Sequence, residues 1–155
     1  MIFASSSTSP ARRGLGAHIT ILFPFRSPAS ISTAVVSELR TLFAAHSQFT
    51  FSLVKVDEFP SAIYLSPEPP DPFNVLTQAA AGQFPDCPPY GGAFANPVPH
   101  LTVAQESGGQ NLGGVSNRIR AHVGQSLPLP CAATEVCLAV RNAGYWSIVE
   151  RFALG

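Results

Sequence analysis

Lysine is almost missing from this chain. Lys55 is the only one among 155 residues, and charged side chains of all kinds make up 12%. Nine basic and nine acidic side chains cancel to a formal net charge of zero. A protein that grips long DNA or RNA neutralises many phosphates with a basic face. No such face is encoded here, which argues against extended DNA and limits any nucleic-acid ligand to an end, a short oligomer or a nucleotide. Cysteine is also scarce. The three, Cys87, Cys131 and Cys137, are odd in number and lack CxxC spacing. That does not suggest a disulfide framework or a zinc site, so a reducing, cytoplasmic setting is expected. No apolar run approaches the length of a membrane span, so no membrane partner is expected. The opening MIFASSSTSPARRGLGA has no apolar core of a secretory signal. It is Ser-rich, contains Arg12 and Arg13, and no acidic residue precedes Glu38. Those features are shared with organelle transit peptides, but the stretch is short and runs straight into the first strand pattern. We read residues 1–13 as a flexible, soluble tail and 14–155 as a single domain.

The chain is rich in hydrophobic residues, at 46%, which is enough to build one substantial core. Alternation in GLGAHITILF, ended by Pro24, predicts a strand from Leu15 to Phe23. Ile31, Ala34, Val35, Leu39, Leu42 and Phe43 recur at helical spacing and predict a helix over about 30–45. FTFSLVKVDEF and AIYLS predict two strands. After the Pro-rich EPPDP the order repeats. A helix over 73–83 precedes a loop over 84–99 that holds five prolines and two adjacent glycines. Then come the strand VPHLTVAQ, a helix in GVSNRIRAHV, and strands over 129–140 and 145–154 joined by a tight RNAG turn. The predicted class is α+β: two pseudo-symmetric βαββ lobes, about 14–68 and 69–155, with antiparallel sheets flanking a central cleft.

A four-residue motif sits on this repeat of elements. His18-Ile19-Thr20-Ile21 and His100-Leu101-Thr102-Val103 each place His, aliphatic, Thr, aliphatic on the first strand of a lobe. On a strand, residues i and i+2 share a face about 6.6 Å apart, so each His shares a face with its Thr. One such motif alone is ordinarily a structural histidine. Two matched copies reverse that weighting, since a fold repeat preserves apolar positions without needing His and Thr in both halves. If the two strands approach, two imidazoles and two hydroxyls line one groove, a set that suits a phosphate diester. The hydroxyls can hold non-bridging oxygens. One neutral imidazole can take a proton from water, and the other, protonated, can give one to the departing alkoxide. This chemistry asks for no metal or cofactor, and neither motif contains a closed set of metal ligands.

These paired motifs, with the phrase HITILFPF and with PHLTVAQ following a Pro-rich loop, resemble the two-histidine phosphoesterase superfamily, in particular its 2′-5′ RNA ligase-like, cyclic phosphodiesterase branch. The resemblance runs from about Gly14 to Gly155. It implies the bilobal fold and chemistry on 2′,3′-cyclic phosphates or 2′-5′ linkages. It also implies that His18 and His100 are catalytic and that Thr20 and Thr102 hold the phosphate. Relatives often carry Arg five residues beyond the second motif His. Here Gln105 stands at that offset; it can donate to a phosphate but adds no charge. The matching offset in the first motif gives Phe23, an aromatic that in relatives can stack on a base. An odd offset faces away from the His on a regular strand, so both residues reach the groove only where the strand ends or bulges.

The remaining candidates divide between function and structure. Tyr90 and Phe94 in the Pro-rich loop either wall the groove and stack on a base or anchor the loop. Arg12, Arg13 and Arg26 either supply the charge absent at Gln105 or are ordinary solvated residues, the reading we favour. His46 is expected to cap a helix C-terminus, His122 to lie on the surface, and Trp146 and the cysteines to pack in the core. The leading expectation is a monomeric, metal-independent phosphoesterase opening a 2′,3′-cyclic phosphate on a nucleotide or RNA end. RNA ligation, opening of an ADP-ribose cyclic phosphate, and a binding module without turnover are the alternatives.

Overall fold

The computed structural model describes residues 1–5, 15–106, 112 and 114–155. In chain order the elements are β1 (Ile2–Ser5), β2 (Ile19–Leu22), α1 (Thr33–Ala44), β3 (Phe49–Phe59), β4 (Ala62–Glu68), α2 (Asp71–Gln83), β5 (Leu101–Gln105), α3 (Val115–Val123), β6 (Leu129–Ala133), β7 (Glu135–Asn142) and β8 (Tyr145–Ala153). They form two four-stranded antiparallel sheets, ordered β2-β1-β7-β8 and β5-β4-β3-β6. Each motif strand is an edge strand of its own sheet.

Local chemistry explains most boundaries. The hydroxyl of Ser32 caps α1 by accepting from the Val35 amide, and Val35, Leu39 and Phe43 form its buried stripe. Asp71 and Pro72 occupy the first turn of α2, where a negative charge and a missing N–H are favourable. Ala143 and Gly144 both have positive φ (47° and 86°), the twist a tight β7–β8 hairpin needs.

The core lies on one face of each sheet. Ile2, Ile19, Leu22, Val136, Leu138 and Phe152 pack against Leu39 and Phe43 of α1 and Phe73 and Leu76 of α2. Leu53, Val56, Ile63 and Leu65 pack against Val115, Ile119 and Val123 of α3. Each such aliphatic contributes about 1.5–3 kcal/mol by burial. Because side chains alternate across a strand, Phe3 and Thr20 of the first sheet face away from the main core, as do Tyr64 and Thr102 of the second. These are the faces that flank the cleft.

Three expectations are corrected. The start of the chain is not a tail throughout: Ile2, Phe3 and Ala4 are buried in β1, which pairs with both β2 and β7. A run of only four apolar residues, MIFA, carries too little periodicity to signal a strand, and its burial comes from neighbours remote in sequence. The remainder of the expected tail, including Arg12 and Arg13, lies outside the described residues. The sheets also do not divide at residue 68, because β1, β2, β7 and β8 form one and β3 to β6 the other. The reason is the third correction. The single strand expected over 129–140 breaks at Thr134, where the chain leaves the second sheet as β6 and enters the first as β7.

Candidate active site

His18 and His100 stand in the residue just before β2 and β5, so the histidines precede the strands expected to carry them. Both are half-buried. Both make the same local contact. The Nδ1 of His18 lies 2.8 Å from the carbonyl of Gly16, and that of His100 lies 2.8 Å from the carbonyl of Val98. A carbonyl can only accept, so Nδ1 carries the hydrogen in each ring and Nε2 is left for chemistry.

The cross-strand registers match as well. Thr20 stands opposite Phe3 on β1, and Thr102 stands opposite Tyr64 on β4. Those two aromatics also touch the motif histidines: Phe3 and His18 have ring centroids 4.7 Å apart, Tyr64 and His100 5.4 Å. Phe59 stacks on Tyr64 at 4.2 Å and meets His100 at 5.0 Å, nearly perpendicular to it. Each His-x-Thr is thus backed by an aromatic ring on the adjacent strand. Phe3, Tyr64 and Phe59 were missed from sequence. No local signal marks them, because their place beside the histidines comes from strand pairing, in which β1 is to β2 what β4 is to β5.

The strands β2 and β5 approach each other across the two sheets. The charge of His100 is felt at His18. Burial pushes the His18 imidazole below its ordinary value, the Gly16 carbonyl partly offsets this, and His100 lowers it further. The hydroxyl of Thr20 points at the Met1 sulfur, 3.9 Å away, and Thr102 is exposed.

The structure brings five of the expected residues together beside the second motif. His100, Thr102, Gln105, Tyr90 and Phe94 all line one pocket of about 490 Å³. Gln105 reaches it because β5 ends there. Phe23 does not line it. Phe23 follows the last residue of β2, is partly exposed, and meets Trp146 edge-on at 6.2 Å, while its backbone carbonyl accepts the N–H of Tyr90. The Pro-rich loop is therefore tied to the end of the first motif strand. Tyr90, Gly91 and Gly92 turn the loop with three successive positive φ angles (52°, 65° and 80°).

The other candidates are structural. Arg26 pairs with Asp86 at 3.0 Å and lies over the Phe84 ring at 5.1 Å, anchoring the loop's start. His46 follows α1, its amide bonded to Phe43 and its carbonyl to the Gly155 amide. His122 is exposed on α3. Trp146 packs in a small cluster with Phe3, Cys137 and Ala139. Cys137 is fully buried, and burial pushes its thiol up to about 12, which leaves it inert. Among the described residues, no group of three or more His, Cys, Asp or Glu could hold a metal ion, and no helix is long and apolar enough to cross a membrane.

Two four-stranded antiparallel sheets, each with a His-x-Thr segment at its edge strand, define the two-histidine phosphoesterase class. The family described as the 2′-5′ RNA ligase superfamily matches residues 4–144, and the chain belongs to it. Solved structures share the fold at low identity. The protein TT0787 of Thermus thermophilus is 14% identical, with a TM-score of 0.63 over 89% of this chain and 78% of that one. E. coli LigT complexed with 3′-AMP is 16% identical, with a TM-score of 0.58 over 99% and 95%. The same protein complexed with NADP+ gives 18% and 0.55 over 97% and 84%. No significant match is found among curated protein sequences.

Proposed function

We propose that this protein is a phosphoesterase that opens 2′,3′-cyclic phosphates on nucleotides or RNA ends by proton transfer at two histidines. The observation that carries this reading is the matched pair of Nδ1 contacts, which directs one free Nε2 from each motif toward chemistry. A binding module needs no such tautomer control on two imidazoles. That LigT has been crystallised with 3′-AMP and with NADP+ fits a nucleotide-sized ligand.

In this mechanism Thr20 and Thr102 donate to the non-bridging oxygens and hold the phosphorus between the histidines. His18 is the base, because its lowered proton affinity keeps it neutral near pH 7. Its Nε2 takes a proton from water as the water oxygen attacks phosphorus. The bond from phosphorus to one ribose oxygen breaks, and that oxygen receives the proton of His100 Nε2. The product is a phosphate monoester and a free hydroxyl. Gln105 contributes a neutral donor to the phosphate. The steps transfer two protons, form one P–O bond to the water oxygen and break one to the ribose oxygen, and we expect no metal requirement.

The test is incubation of the protein, with EDTA, with a 2′,3′-cyclic nucleotide and a short RNA ending in a cyclic phosphate. Wild type, His18→Ala and His100→Ala are compared and the product isomers separated. Turnover that survives chelation and collapses in both variants supports the reading. Undiminished turnover in either variant, or loss of all turnover with EDTA, sinks it.

A further inference from the structure

We propose that Arg141, on the cleft face of the first sheet, is a phosphate contact remote from the two motifs, and that it selects substrates carrying a second phosphate over a lone nucleoside cyclic phosphate. The inference rests on the phosphoesterase reading and narrows its substrate class.

Cations are few in this chain, and most are already committed. Among the described residues, Arg26, Arg40, Lys55, Arg120 and Arg151 each pair with a carboxylate. Arg118 and Arg141 do not. Arg118 belongs to α3, which packs on the core face of the second sheet, and its Nε–H donates to the Gly114 carbonyl just before that helix. Arg141 lies on the opposite kind of face. Along β7, Cys137, Ala139 and Arg141 fall on one side by alternation, and Cys137 and Ala139 cluster with Phe3. Phe3 in turn pairs with both Thr20 and Cys137. Arg141 therefore shares a face with the first motif's threonine, about 14 Å along the strands from it and about 10 Å across them.

The side chain is presented as a fork. Its Nε lies 3.5 Å from the Gly144 carbonyl, a contact within the tight β7–β8 hairpin that leaves the two terminal nitrogens to a ligand. A guanidinium in that setting matches two phosphate oxygens at once. Trp146 stands opposite Arg141 and meets Phe23, the residue after β2, edge-on at 6.2 Å. One surface thus runs from the first motif strand to Arg141. A nucleoside 2′,3′-cyclic phosphate has one phosphate, and the motifs hold it. An anion at Arg141 must then be a second phosphate of the same molecule, either an internucleotide diester or a pyrophosphate. A single cation, in place of a basic face, fits a short ligand.

The experiment measures kcat/KM for uridine 2′,3′-cyclic phosphate, a uridine tetranucleotide ending in the same cyclic phosphate, and ADP-ribose 1″,2″-cyclic phosphate. Wild type is expected to prefer a substrate with a second phosphate by about tenfold, the effect of one charge-assisted hydrogen bond at an exposed site. Arg141→Gln should remove most of that preference, Arg141→Lys should keep part of it, and Arg118→Gln should keep all of it. Salt separates charge from folding. For the preferred substrate, the slope of log kcat/KM against log salt should be shallower by about 0.7 in Arg141→Gln. An Arg141-dependent preference for the tetranucleotide assigns an internucleotide phosphate, and one for the ADP-ribose ester assigns a pyrophosphate. No preference for either, or a preference unchanged in Arg141→Gln, overturns the subsite. If no ester is hydrolysed, the phosphoesterase reading fails and binding judges the subsite alone. Trp146 is the only tryptophan, so its fluorescence reads a ligand arriving opposite Arg141. Tighter binding of the tetranucleotide or the ADP-ribose ester than of the uridine ester, lost in Arg141→Gln, then supports the subsite, and equal affinity overturns it.

Discussion

The charge of His100 opposes protonation of His18. Burial is the larger reason His18 holds its proton weakly, and the charge of His100 adds to it. A base with lowered proton affinity is neutral at pH 7 and loses function only as pH falls through that lowered value. The ascending limb of kcat/KM is therefore expected below about 6.5, the unperturbed histidine value. An NMR titration of the His18 ring should show the same. In His100→Gln its midpoint should rise but stay below the unperturbed value, because burial remains. A wild-type midpoint at or above that value would refute His18 as the base.

Replacing either motif histidine by alanine should lower kcat by about 10²–10⁴, the usual contribution of a positioned acid or base. His46→Ala and His122→Ala are the controls, since neither side chain lies at the groove, and both should match wild type within error. Steady-state rates on a 2′,3′-cyclic nucleotide decide it. A loss confined to one motif would mean that the second histidine is structural.

The threonine hydroxyls are separable from their methyl groups. Thr20→Val and Thr102→Val keep shape and remove one donor each to an anionic phosphate, which costs about 1.5–3 kcal/mol. Each should lower kcat/KM roughly tenfold to a hundredfold, and Thr→Ser should restore most of it. Valine variants with wild-type kinetics would show that the hydroxyls do not touch the phosphate.

Much of this molecule was legible in its sequence because the motif repeats on a repeat of elements. Alternation marked β3 and β4, helical spacing marked α1 and α3, and the two His-x-Thr segments marked the edge strands. What escaped depended on long-range pairing. Nothing in Ile2-Phe3-Ala4 indicates a strand until β7, more than 130 residues away, lies beside it. The run LPCAATEVCLAV has no glycine or late proline to reveal that the chain changes sheets at Thr134. Phe3 and Tyr64 were overlooked for the same reason, since cross-strand register is not written in local periodicity.

The Pro-rich loop should respond to its glycines. Gly92 has φ of +80° with open space where a Cβ would go, so Gly92→Ala introduces backbone strain without a clash. Strain of about 1 kcal/mol is expected to appear as a higher KM, because Tyr90 and Phe94 move with the turn, while kcat changes little. A change in kcat with KM unaltered would mean that the loop positions the histidines instead of the ligand.

Phe3 gives the sharpest separation between packing and chemistry. It is 1% exposed, pairs with Thr20 and lies against the His18 ring. Phe3→Leu keeps an apolar side chain of similar bulk, so the stability change, read from urea unfolding, should stay within about 1.5 kcal/mol. The flat ring that excludes water from His18 is lost, however. The His18 midpoint should rise toward its unperturbed value and the ascending limb of the pH profile should move with it, because burial is the larger cause of the shift. A variant that loses stability yet keeps the His18 titration unchanged would make Phe3 a core residue only. The desolvation of His18 would then have to come from other groups around the ring.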